Sequence, residues 1–119
     1  MSEYIEALGF IYLASPYTHE DPHVMRYRFE RVCYAAGYLM CKKGKNVFCP
    51  IAMGHAISDN HPGMPTSLGW WLEQDFPILK QADKLIVYRM DGWEESAGVG
   101  AEIAFAKAAG IPIEHMEPL

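Results

Sequence analysis

The 119-residue sequence has only three cysteines, and no two of them form a CxxC pair. Structural zinc sites usually show such closely spaced ligands, so we predict no metal site. The odd number of cysteines favours reduced thiols over a disulfide framework. Cys33 and Cys41 are eight residues apart and fall on one face of a predicted helix. We expect both to pack there as small apolar side chains.

Basic residues are also scarce. Ten Lys and Arg face 15 Asp and Glu, which gives a net charge of −5. Proteins that bind polyanions need a surplus of Lys and Arg, so we expect no polymeric nucleic acid partner. No stretch approaches the roughly 20 apolar residues of a membrane span. Residues Met1–Phe10 lack the basic segment of a secretory signal. These absences predict a cytoplasmic protein with no membrane contact.

What the sequence does contain is typical of one ordered globular domain over residues 1–119. Half of its residues are hydrophobic and 21% are charged. Short apolar runs predict strands at Phe10–Ala14, Asn46–Cys49, Lys84–Arg89 and Ile111–Ile113. Helical spacing predicts helices at 23–43, in the first part of 51–67, at 67–82 with a kink or early break at Pro77, and at 101–109 with Gly110 as the C-cap.

Alternating strands and helices predict an α/β fold with a parallel sheet that is covered on both faces. In such sheets, ligands bind beyond the carboxyl ends of the strands, where the strand order reverses. The loops after Ala14, Cys49 and Arg89 lie at those ends. We therefore expect the functional residues in or near these three loops.

The segment Ser96-Ala-Gly-Val-Gly-Ala-Glu102 joins a predicted strand to a predicted helix. Gly98 and Gly100 allow a ligand to approach the backbone closely. The free N–H groups at a helix N-terminus suit a phosphate, and the Ser96 hydroxyl offers another donor. The alternative is a tight turn followed by an N-cap.

Two carboxylates stand out. Glu102 is expected in the first helical turn, where its charge is favourable to the helix dipole. Its neighbours are small and apolar, and a carboxylate in such surroundings is unusual unless it is paired or functional. Asp75 lies on the preceding predicted helix and is either an exposed helix acid or a functional residue. We expect its neighbour Glu73 to be solvated.

Aromatic residues and a histidine complete the candidates. Tyr12 lies on the first predicted strand, and its hydroxyl bonds either to a catalytic carboxylate or to a backbone carbonyl. His55 follows the second strand and is either structural or functional. Trp70 and Trp71 stack on a base, or they belong to the core or a subunit interface. The sequence contains no HExxH, P-loop or GxSxG motif.

Three segments resemble the nucleoside 2-deoxyribosyltransferase superfamily, over most of the chain from Ile11 to Ile113. They are Ile11-Tyr-Leu-Ala-Ser-Pro-Tyr17; Glu73-Gln-Asp75 with Ile78–Val87; and Ser96–Ile103 with the following Gly110-Ile-Pro-Ile. The chain is most similar to a group of small bacterial and phage proteins with the same Leu-Ala-Ser-Pro-Tyr opening and a Gly-Trp-Glu-Glu-Ser loop.

The resemblance implies a flavodoxin-like (Rossmann-like) three-layer sandwich with a parallel sheet of four to five strands. It also implies cleavage of an N-glycosidic bond without a cofactor. By this analogy Glu102 is the nucleophile, Tyr12 orients its carboxylate, and Asp75 protonates the departing base. Ser15 and His55 are expected to contact the substrate.

The resemblance also predicts the substrate. Ser96 stands where transferases acting on free nucleosides carry Asp, and a Ser accepts a 5′-phosphate that an Asp would repel. A (deoxy)nucleoside 5′-monophosphate is therefore the expected substrate, bound by Ser96, Gly98 and Gly100. Base exchange on a nucleoside and nucleotide binding without chemistry are the alternatives.

By the same analogy we expect a homodimer or a higher homo-oligomer. Trp70, Trp71 and Trp93 offer apolar surface for such contacts.

Overall fold

The computed structural model describes residues 9–119. Residues 1–8, which include most of the segment examined for a secretory signal, lie outside the described residues. In chain order the elements are β1 (Ile11–Ala14), α1 (Pro22–Cys41), β2 (Val47–Phe48), α2 (Pro50–Asn60), α3 (Leu68–Leu79), β3 (Lys84–Tyr88), α4 (Ala97–Ala109) and β4 (Ile113–Met116).

The four strands form one parallel sheet in the order β2-β1-β3-β4. Consecutive strands are joined through helices, as parallel pairing requires. The direction of strand addition reverses at β1, because β2 lies on one side of it and β3 on the other. The predicted α/β fold is confirmed, and the order is consistent with a flavodoxin-like three-layer fold.

Alternate residues of the two central strands point to opposite faces of the sheet. The face covered by α1 buries Ile11, Leu13, Ile86 and Tyr88 against Val32, Ala35, Ala36 and Leu39. The other face buries Tyr12, Ala14, Leu85 and Val87 against Leu79 of α3 and Val99 and Ala106 of α4. Tyr12 therefore faces α3 and α4, the two helices that carry the predicted carboxylates.

Helix α4 begins four residues earlier than predicted. Ser96 is its N-cap, and the Ser96 hydroxyl accepts a hydrogen bond of 3.2 Å from the Val99 N–H. Gly98 and Gly100 thus lie inside the helix, and Glu102 lies in its second turn. The cap and the burial of Val99 and Ala106 outweigh the poor helix propensity of the glycines.

Other boundaries also differ from the prediction. Helix α3 continues two residues past Pro77 and ends at Leu79, three residues before the predicted end. The last strand begins at Ile113, two residues later than predicted, where its pairing with Leu85 starts. Pro112 has no N–H to donate, so it contributes only its carbonyl, which accepts from Leu85 N–H at 2.9 Å.

The cysteine prediction is partly wrong. Cys33 is half-buried, but Cys41, the last residue of α1, is exposed. No helix among residues 9–119 is both long enough and apolar enough to cross a bilayer.

Candidate active site

A cleft of about 600 Å³ lies at the carboxyl edge of the sheet, between α2 on one side and α3 and α4 on the other. Because the strands are parallel, the ends of β1, β2 and β3 meet at this edge. Six of the predicted site residues line the cleft: Ser15, His55, Asp75, Ser96, Gly98 and Glu102.

Glu102 is buried beneath the cleft, with 6% of its surface exposed. It shares one face of α4 with Val99 and Ala106, which pack on the sheet, so its side chain points inward. Its Oε2 accepts a hydrogen bond from the hydroxyl of Tyr12, a fully buried residue of β1. Tyr12 does not line the cleft but holds the carboxylate from below.

Burial raises the pKa of Glu102 from its ordinary value of 4.5 to about 8. The Tyr12 hydrogen bond lowers this pKa, and the charge of Asp75 raises it. Burial also raises the pKa of Tyr12 far above its usual range, with the charge of Glu102 as the next cause. Tyr12 therefore remains a protonated donor to Glu102.

Asp75 projects from α3 into the same cleft and is only 8% exposed. Its burial raises its pKa from 3.8 to about 6. Glu73, two residues away, is exposed as predicted. The fold thus places two buried carboxyls with raised pKa values on one cleft, an arrangement that suits acid, base or nucleophilic chemistry.

His55 lies in the α2 wall of the cleft. Its ring stacks on Phe29 at a centroid distance of 3.8 Å. Its Nδ1 shares a hydrogen bond of 2.7 Å with the Tyr17 hydroxyl, and its Nε2 lies 3.3 Å from Asp59 Oδ2 without hydrogen-bond geometry. These contacts hold the imidazole in one orientation at the cleft.

The hydroxyl of Ser15 is buried at the end of β1 and has no hydrogen-bond partner among the described residues. A buried unsatisfied hydroxyl costs about 1–3 kcal/mol, so a partner from a bound molecule would stabilise it. The Ser96 hydroxyl, in contrast, already caps α4. Gly100 is exposed and does not line the cleft.

Residues 9–118, which include every residue of this cleft, match the family described as "Domain of unknown function (DUF1937)". The chain belongs to the DUF1937 family. No curated protein matches it. The family description names no activity, so the resemblance to the deoxyribosyltransferases stays an expectation from sequence.

In this DUF1937 chain, no group of three or more His, Cys, Asp or Glu side chains within residues 9–119 is placed to hold a metal ion. Besides Asp75 and Glu102, a third carboxyl lines the cleft, that of the exposed residue Glu95. Apart from His55, the remaining lining residues are apolar or uncharged.

The cleft also contains residues that the sequence does not assign to a site, among them Tyr17 and Trp71. Tyr17 was part of the opening motif, but nothing in the sequence indicated that it would contact His55, 38 residues away. Trp71 lines the cleft, whereas Trp70 does not. The four-residue spacing of Trp71 and Asp75 is the signal that distinguishes the two tryptophans, because it places Trp71 and Asp75 on one helix face.

Proposed function

We propose that the chain hydrolyses the N-glycosidic bond of a (deoxy)nucleoside 5′-monophosphate and releases the free base. The observation that carries the proposal is the pair of buried carboxyls in one cleft, Glu102 on α4, which Tyr12 holds, and Asp75 on α3. Glycosidases use two such carboxyls, one as nucleophile and one as acid.

In the first step an oxygen of Glu102 attacks C1′ of the sugar. The bond between C1′ and the base nitrogen breaks, and its electron pair leaves with the base. Asp75 supplies the proton that this nitrogen needs. The products are a glycosyl ester of Glu102, a neutral base and the Asp75 carboxylate.

In the second step water attacks C1′ and the ester bond breaks, which restores the Glu102 carboxylate. The Asp75 carboxylate takes the proton that the water loses. If a second base attacks in place of water, the same intermediate yields base exchange.

Tyr12 supports the role of Glu102 as nucleophile. Its O–H occupies one carboxylate oxygen, Oε2, and leaves the other available for attack. It also lowers the pKa of Glu102 against the effect of burial. Positive charge that develops on the sugar in the transition state favours the ionised carboxylate further.

The position of the α4 N-terminus supports the proposal that the substrate carries a 5′-phosphate. Ala97 and Gly98 line the cleft, and the first N–H groups of a helix have no partner within it. Ala97 precedes Glu102 by five residues, which is about 7.5 Å along a helix. That length suits a sugar whose C1′ lies at Glu102 and whose phosphate lies at the helix end.

The test is incubation of the protein with (deoxy)nucleoside monophosphates, with and without a free acceptor base, followed by chromatography of the released base. Hydrolysis without acceptor is expected. Glu102→Gln should abolish release, and Asp75→Asn should slow it by about 10²–10⁴-fold. Glu73→Gln is the matched control, because Glu73 is an exposed acid of the same helix. No release by the parent protein from any substrate would contradict the proposal.

Nucleotide binding without chemistry is the second candidate, and one observation favours it. A pKa of about 8 leaves most Glu102 carboxyls protonated at neutral pH, which makes a weak nucleophile. This candidate predicts nucleotide affinity that survives Glu102→Ala, together with no turnover in the parent protein.

A further inference from the structure

We infer that Trp71 determines which base the cleft accepts and that this base is bicyclic, a purine. The inference rests on the proposed function, since Asp75 marks where the departing base lies. Trp71 and Leu72 precede Asp75 by four and three residues, so all three share one face of α3. All three line the cleft. A base held by Asp75 therefore extends along the wall that Trp71 forms.

Contacts on two sides fix the position of the Trp71 indole. Its Nε1–H donates a hydrogen bond of 2.8 Å to the carbonyl oxygen of Pro65, in the loop between α2 and α3. The opposite edge of the indole lies against α2 at Gly54. A Cβ built at Gly54 would stand 3.3 Å from Cζ3 of Trp71, closer than ordinary van der Waals contact. Glycine at this position lets the indole lie against α2.

The dimensions of the cleft favour a two-ring base. Its α3 wall runs from Leu68 to Asp75, seven residues or about 10 Å of helix. Its α2 wall runs from Pro50 to Ser58, eight residues or about 12 Å of helix. A purine covers more of these largely apolar walls than a single pyrimidine ring, and the buried area favours the larger base.

The deciding variant is Gly54→Ala. The added methyl group requires the indole to shift by a few tenths of an ångström, which changes the shape of the wall along which the base lies. One methyl group in an apolar pocket changes discrimination by about tenfold or more. Gly69→Ala is the matched control. Gly69 also lies within a helix, but a Cβ there meets nothing within 4 Å.

The measurement compares dAMP and dGMP with dCMP and dTMP, by kcat/KM of base release and by calorimetric Kd. The parent protein should prefer the purine nucleotides by at least about tenfold. Gly54→Ala should reduce that ratio by a similar factor, and Gly69→Ala should leave it unchanged. Trp71→Phe should also reduce the ratio. Thermal unfolding of this variant checks that it is folded.

The outcomes distinguish a failure of this inference from a failure of the proposed function. If the parent binds nucleotides but releases no base, hydrolysis fails and the ratio of Kd values alone decides the inference. A pyrimidine preference, or a Gly54→Ala effect equal for both classes or absent, overturns the inference while hydrolysis stands. Binding of neither class overturns both.

Discussion

At Glu102, folding and the proposed chemistry have opposite requirements. Burial favours a neutral carboxyl, whereas a nucleophile has to be ionised. A carboxylate is most stable in water, but the fold buries this one between α4 and the sheet. Among residues 9–119, Tyr12 is the side chain that donates a hydrogen bond to this carboxylate. The neutral carboxyl is therefore the form that the folded state favours.

This preference predicts how stability depends on pH. Burial raises the pKa of Glu102 to about 8 in the folded state, from 4.5 when exposed. Between these values the folded chain binds more protons than the unfolded chain, so its stability falls as pH rises. Glu102→Gln removes the ionisation but keeps an oxygen that can accept from Tyr12. The variant should be more stable than the parent by on the order of 3 kcal/mol at pH 8, and by much less at pH 5.

Urea unfolding at pH 5, 6.5 and 8 measures this difference. Glu73→Gln serves as the control, because an exposed carboxyl gains nothing by losing its charge. A Glu102→Gln variant that is less stable than the parent at pH 8 would show that the ionised carboxylate is well satisfied in the fold.

Among the elements, α4 shows most clearly what local sequence can and cannot predict. Its apolar residues Val99, Ile103 and Ala106 follow helical spacing, and Ser96 is a good N-cap. The two glycines nevertheless favoured a loop up to Ala101. Packing of Val99 on the sheet stabilises the first turn, and local helix propensity does not include that energy.

The N-cap of α4 is testable by substitution. Ser96→Ala removes the acceptor of the Val99 N–H and should lower the free energy of unfolding by about 1 kcal/mol. Ser67 caps α3 in the same way, by accepting from Trp70 N–H, and it does not line the cleft. Ser67→Ala should therefore cost a similar amount in urea unfolding without nucleotide. If Ser96→Ala leaves the unfolding midpoint unchanged, the Ser96 hydroxyl has no capping role.

At the scale of the whole molecule, the position of the cleft was predictable and its contacts were not. Parallel strands bring their carboxyl ends to one edge, so the three loops had to converge. The hydrogen bond between Tyr12 and Glu102 joins residues 90 positions apart. From the sequence, the acceptor of the Tyr12 hydroxyl is either a carboxylate or a backbone carbonyl. The packing of α4 on the sheet makes it the carboxylate of Glu102.

Helices α3 and α4 lie on the same face of the sheet and bring Asp75 and Glu102 into one cleft. The pKa values of these two carboxyls predict how base release depends on pH. With pKa values of about 6 for Asp75 and about 8 for Glu102, the two carboxyls together hold one proton between these pH values. The proposed reaction needs this proton on Asp75 and the negative charge on Glu102. Burial favours the reverse arrangement, so only a minor fraction of the one-proton state reacts. Below pH 6 both carboxyls are protonated and no nucleophile is present. Above pH 8 both are ionised and the base receives no proton.

The rate at saturating substrate should therefore be bell-shaped, with its maximum between about pH 6 and pH 8. Saturation matters because a 5′-phosphate itself titrates near pH 6. Asp75→Asn leaves Glu102 as the only titrating carboxyl of the pair, so its slow reaction should lose the decline at high pH. Glu73→Gln should keep both limbs, because Glu73 is exposed and does not line the cleft. A high-pH decline that persists in Asp75→Asn would remove Asp75 from the role of acid.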